Sequence, residues 1–214
     1  MAIKPILFNT EMVRAILDGR KSCTRRLVKP EPQGYFEVNE EPLYIYDTDG
    51  NQGKITPPYH SDDIIYVRET WCDDRQFTRE DTPGRYFYKA SEEDGFTAKW
   101  HPSIHMPKEA ARIWLKVMDV RVERLQDITE DGVWDEGFRF TPPCLTRVSA
   151  DGHTCDLDGP CTSRIKYCDM TMEELFGREL WNSTIKKPDL DRYGWDANPY
   201  VWVIEFEQCE KPEA

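Results

Sequence analysis

Arg112-Ile113-Trp114-Leu115-Lys116-Val117-Met118-Asp119-Val120-Arg121-Val122-Glu123-Arg124-Leu125 is the stretch on which the fold turns. It alternates like a half-buried strand, but the alternation slips. Ile113, Leu115 and Val117 share one parity, whereas Met118, Val120 and Val122 share the other. One extra residue near 117–119 reconciles the halves, and such a bulge bends a strand as sheets do when they curl toward barrels. Outward from it, residues 64–71 read as a second strand, with Ile65, Val67, Glu69 and Trp71 on one face. Residues 22–28, 85–90 and 200–207 add further strands, and 43–46 a hairpin arm. Residues 10–18 predict a helix capped by Asn9 or Thr10 and stopped at Gly19. Thr129 can cap a short helix ending near Gly137. Thr171 and Glu174 form a capping box for a helix over 170–181, with Met170 and Leu175 as its staple. Separated strands, short helices and no βαβ rhythm predict an α+β protein, a small curled barrel with peripheral helices.

The chain has 214 residues, with 40 Asp and Glu against 28 Lys and Arg, for a net charge of −12. That length predicts a single domain over 1–214. An apolar share of 39% with 12% aromatic is enough for a core and excludes wholesale disorder. No apolar run is long enough to span a bilayer, and no charged-then-apolar leader opens the sequence. A cytoplasmic protein with no membrane partner is expected. The acidic balance argues against broad binding to a phosphate backbone and leaves room only for a local basic patch.

That patch exists. Gly19-Arg20-Lys21-Ser22-Cys23-Thr24-Arg25-Arg26 packs four cations and two hydroxyls into eight residues. A solvated turn with paired charges is one reading. In the other, Ser22, Thr24 and Arg26 share a strand face, and Lys21 reaches it from the turn or through a bulge. A lysine there can serve as base for a threonine nucleophile, and the arginines can hold a phosphate or a base edge. Glu69 is the second oddity, a carboxylate on an apolar face that needs a cationic partner, Arg26, Arg68 or another. Glu136, beside Gly137, is unremarkable alone.

Taken in order, these segments resemble the ASCH family, whose fold is similar to the PUA RNA-binding barrel. The resemblance rests on residues 16–26, on Val67-Arg68-Glu69-Thr70-Trp71, on Val120-Arg121-Val122-Glu123 with Ile128-Thr129-Glu130-Asp131, and on Trp202-Val203-Ile204-Glu205-Phe206. The larger ASCH-like proteins of bacteriophages and prophages look most similar. Small bacterial members include amidohydrolases that deacetylate N4-acetylcytidine with a lysine, a threonine and a glutamate. By resemblance those catalytic roles fall on Lys21, Thr24 and Glu136, with substrate binding by Arg20, Arg26 and Glu69. The implied ligand is a nucleoside or single-stranded RNA base, in the cytoplasm of a bacterial host. The competing expectation is a non-catalytic RNA-binding or regulatory module, or a ribonuclease, of phage origin. Tyr86, Tyr88 or a tryptophan would then stack on bases.

Two features depart from the family pattern. The turn before the central strand is Ser61-Asp62-Asp63 where the family often has Gly-Asp, and insertions at about 31–60, 73–107 and 138–187 double the minimal domain. Cys23, Cys72 and Cys209 read as buried small hydrophobes. Cys144, Cys155, Cys161 and Cys168 crowd into the last insertion near His153. Their spacings are wide for a zinc knuckle, and structural zinc, reduced thiols and disulfides all remain open. The proposed chemistry needs no cofactor. Oligomeric state is not legible.

Overall fold

The computed structural model describes residues 1–32, 36–40, 43–47, 54–73, 86–92, 98–139 and 170–212. A mixed five-stranded sheet organises them. Its strands are β1 (Ile3–Leu7), β2 (Cys23–Leu27), β6 (Ile64–Arg68), β9 (Trp114–Arg124) and β10 (Tyr200–Cys209), in the order β1-β6-β9-β10-β2. The pair β1 and β6 runs parallel, and the other neighbours are antiparallel. A three-stranded sheet is formed by β3 (Phe36–Glu40), β4 (Leu43–Asp47) and β5 (Lys54–Ile55), and a two-stranded one by β7 (Trp71–Asp73) and β8 (Tyr86–Tyr88).

The parity slip in β9 is a bulge at Met118. Glu205 pairs with Asp119 and Phe206 with Val117, so Met118 has no partner and stands 47% exposed. Around it Leu115, Val117 and Val120 are buried on one face. That face meets Ile6, Ile65, Val67, Trp202, Ile204 and Phe206 from neighbouring strands, with Val13 and Ile16 of α1 (Thr10–Leu17). Asn9 caps α1 by accepting from the Met12 amide, and Gly19 follows at φ +69°. The opposite face carries Val201 and Val203 against Val133, Phe176, Trp181 and Trp195.

Two peripheral helices close that second core. The first is α2 (Glu130–Asp135), capped by Thr129, and the second is α3 (Met172–Leu175), started by the Thr171–Glu174 capping box. After Leu175 the helix widens into a π-turn over Phe176–Trp181. A Cβ at Gly177 would sit 2.0 Å from the Trp195 ring, so only glycine lets that indole pack there. One expectation needs correcting: the strand over 64–71 ends at Arg68, and Trp71 starts β7 instead.

Both outer edges of the large sheet are closed by side chains. On β1 the outward carbonyl of Pro5 accepts from the Tyr59 hydroxyl (2.7 Å), and that of Leu7 accepts from the Arg26 guanidinium (3.0 Å). Arg26 belongs to β2, the opposite edge strand, so the sheet curls enough for its two edges to approach. Among the described residues no strand pairing closes a barrel.

Candidate functional site

The edge of β2 brings together residues distant in sequence. Even-numbered residues of β2 face β10 with their backbone groups, which leaves the Cys23 carbonyl and the Arg25 N–H pointing outward. Lys21 Nζ donates to the Cys23 carbonyl (2.7 Å), to the Glu136 carbonyl (3.0 Å) and to Glu136 Oε2 (2.6 Å). Glu136 Oε1 accepts from the Arg25 backbone N–H (2.7 Å) and more loosely from the Arg25 guanidinium (3.4 Å). Three acceptors around one nitrogen require three N–H donors, so Lys21 rests as an ammonium. Its side chain is 0% exposed and that of Glu136 is 4%. Lys21 reaches this position from the turn before β2, through an isolated backbone bridge to Glu136.

Local structure explains the junction. Glu136 ends α2, and Gly137 follows at φ +76°. A Cβ there would lie 2.8 Å from Ala15 Cβ and 2.9 Å from Lys21 Cβ, so the close approach needs glycine. The Ser22 amide donates to the Asp135 carbonyl (2.8 Å) and fixes the register.

Thr24 lies on β2 opposite Ile204, facing the main core, and is 1% exposed. Its hydroxyl makes no hydrogen bond among the described residues. Arg26 shares that face, 5.3 Å from the Phe8 ring centroid, and the Lys21 ammonium lies 5.6 Å from the same ring. Arg26 makes no ion pair among the described residues, and burial holds its pKa below the ordinary value against the opposing charges of Glu136 and Tyr59. Cys23 is no competing nucleophile: burial, then the Glu136 charge, pushes its thiol up to about 12.

Arg20 stands at the rim, paired with Asp18 and donating to the Gly137 carbonyl (3.0 Å). A cavity of about 250 Å³ opens there, and Arg20 and Glu136 both line it. Glu69 is held elsewhere. It is buried and forks with Arg112, Nε to Oε1 and Nη2 to Oε2, both at 2.9 Å. The Arg112 guanidinium also lies 4.1 Å from the Tyr88 ring centroid. Burial pushes the Glu69 carboxyl above its ordinary pKa, with Arg112 offsetting part of the shift. Cys144, Cys155, Cys161 and Cys168, with His153, lie outside the described residues.

Phe8 and Arg112 carried no signal in the sequence, and Arg25 stood out only as one cation of the cluster, because each acts through a partner far along the chain. Asp63 was visible only as a departure from the Gly-Asp pattern. It accepts from the Ala2 amide (2.7 Å), Lys4 (2.8 Å) and the His60 amide (3.1 Å). Burial pushes its pKa up, but those hydrogen bonds outweigh it and leave the carboxyl below its ordinary value.

No family model, curated protein or solved structure matches this chain. No helix among the described residues is long and apolar enough to cross a membrane.

Proposed function

We propose that this chain is an ASCH-family protein with a PUA-like barrel that recognises a nucleoside or exposed base and hydrolyses an acyl-amide on a cytidine-type base. The observation that carries the reading is the meeting of Lys21 and Glu136, 115 residues apart in sequence, at the edge of the strand that carries Thr24, whose hydroxyl makes no hydrogen bond among the described residues. A lysine–carboxylate pair at the edge of a strand bearing a threonine is a set of groups from which an activated nucleophile can be built.

The chemistry balances in two stages. Glu136 Oε2 takes a proton from Lys21, and the neutral amine accepts the Thr24 proton as Oγ1 attacks the acyl carbon. The tetrahedral adduct collapses with that proton passing to the departing exocyclic amine, which leaves an acyl-threonine ester. Water, deprotonated by the same lysine, then releases the acid and restores Thr24. Arg26, a cation with no carboxylate partner among the described residues, faces the same side as Thr24 and stabilises the developing oxyanion.

A second reading has its own observation. All three Lys21 hydrogens are donated already, and two of the groups bonded are outward backbone positions of β2 or α2. Under that reading the pair is a sheet-edge cap, and the site binds a base without turning it over. Incubating the purified protein with a panel of N-acylated nucleosides, and following products by mass, separates the two. Loss of the acyl group from a cytidine-type substrate is expected. Nucleoside binding with no product anywhere in the panel would leave the binding reading, and neither binding nor product would discard both.

A further inference from the structure

We infer that the ligand of the proposed site carries a phosphate group, recognised by Arg139 in the cavity that reaches Glu136; this rests on the nucleoside-site reading above. The Lys21–Glu136 pair is buried, so a substrate needs a route to it, and the 250 Å³ cavity comes up to it on the Glu136 side. Met12, Phe138 and Leu180 supply its apolar walls, with Arg20 and Arg139 as its cations. The Phe138 ring is held edge-on against Phe176, with centroids 5.9 Å apart, so that wall is anchored in the second core.

Size limits what enters. At about 30 Å³ per water, the cavity has the volume of roughly eight waters. It falls below the ~300–1,000 Å³ usual for drug-sized ligands, so it suits one ring with a small substituent.

Charge then selects the substituent. Glu11 is paired with Arg14 (3.0 Å), Arg20 with Asp18 (2.8 Å), and Glu136 with Lys21. Among the described residues Arg139 makes no ion pair, so it is the lining charge without an ionic partner. In a chain of net charge −12, such a site is set apart from its surroundings. The Arg139 guanidinium is exposed and already oriented, 4.3 Å from the Trp134 ring centroid, with one nitrogen donating to the Phe138 carbonyl (2.9 Å). A planar fork held by stacking, with donors to spare, matches the oxygens of a phosphate. The ring lies among Met12, Leu180 and Phe138, and the phosphate sits at the open rim.

Binding by calorimetry to cytidine, cytidine 5′-monophosphate and a cytidine dinucleotide tests this on the full chain, alongside Arg139→Gln and Arg139→Lys. The monophosphate is expected to bind at least ~10-fold more tightly than the nucleoside. Arg139→Gln should erase that gap while leaving the nucleoside affinity in place, and Arg139→Lys should keep part of it. A dinucleotide that shares the Arg139-dependent gain supports the inference and assigns the phosphate to an RNA chain. A dinucleotide without it supports a free mononucleotide as the ligand. Equal affinity for nucleoside and monophosphate, or a gap that survives Arg139→Gln, overturns the inference and leaves base recognition standing. Failure of every ligand to bind overturns the inference and the reading beneath it.

Discussion

The two edges of the central sheet face the same problem and meet it differently. On β1 the outward carbonyls of Pro5 and Leu7 accept from a tyrosine hydroxyl and one arginine nitrogen, and Pro5 removes a donor that would otherwise need a partner. On β2 the outward Cys23 carbonyl and Arg25 N–H are bonded to a lysine and a glutamate taken almost wholly out of water. Closing an edge does not require a buried ion pair: on β1 a neutral hydroxyl caps Pro5, and the Arg26 guanidinium, with no ion pair among the described residues, caps Leu7. Burying an ammonium and a carboxylate costs several kcal/mol of desolvation per ion before their attraction returns any of it. What sets β2 apart is an almost wholly buried pair of opposite charges, which we propose serves chemistry as well as edge protection.

Breaking one half of the costly edge should have the largest effect. Lys21→Met leaves Glu136 buried without its closest cation and should destabilise the fold by about 3–5 kcal/mol in chemical denaturation. Replacing both partners, as Lys21→Met with Glu136→Leu, should recover part of that loss, because no unpaired carboxylate is left buried, although the Cys23 carbonyl and the Arg25 N–H lose their partners. A double variant as unstable as the single would show that the pair is needed for the edge itself.

Glu69 and Arg112 offer an ion pair away from both edges for comparison. Arg112 keeps 26% of its side chain exposed and can rehydrate when its partner is lost. Glu69→Ala should then cost less than Lys21→Met, about 2–3 kcal/mol. Its pH signature is opposite to that of Asp63. The raised pKa of Glu69 means that the folded state holds that proton more tightly than the unfolded chain. Its contribution therefore declines as pH rises from the unfolded value of 4.5 through the folded one. The lowered pKa of Asp63 makes its contribution full above 3.8 and lost as pH falls through the folded value. Denaturation titrated from pH 3 to 7 should show Glu69→Gln removing a decline and Asp63→Asn removing a rise.

Much of this frame was legible in advance. The slip between Val117 and Val120 marked the bulge because side-chain alternation in a strand is strict, and the caps at Asn9, Thr129 and Thr171 follow from orphan helix amides. The Lys21–Glu136 junction was reached only through resemblance, since nothing local to Glu136 distinguishes it from other surface acids. The parallel pairing of β1 with β6 and the break at Glu69 were not legible. Both depend on partners more than forty residues away, Ile64–Arg68 for β1 and Arg112 for Glu69.

Smaller effects sharpen the contrast between edges. Tyr59→Phe removes one neutral cap from β1 and should cost only about 0.5–1.5 kcal/mol in the same denaturation experiment. Met118→Lys changes the exposed bulge residue, which touches neither edge, and should stay within about 0.5 kcal/mol of the parent.

The most direct test of the central claim, that charge at the β2 edge serves chemistry at Thr24, is the turnover of an N-acylated cytidine by Thr24→Ser and Thr24→Val. Serine keeps the hydroxyl and should retain part of the parent rate, whereas valine keeps the shape and should lose at least ~10²-fold. Turnover that survives Thr24→Val would contradict the account and move the reaction to water activated by Lys21.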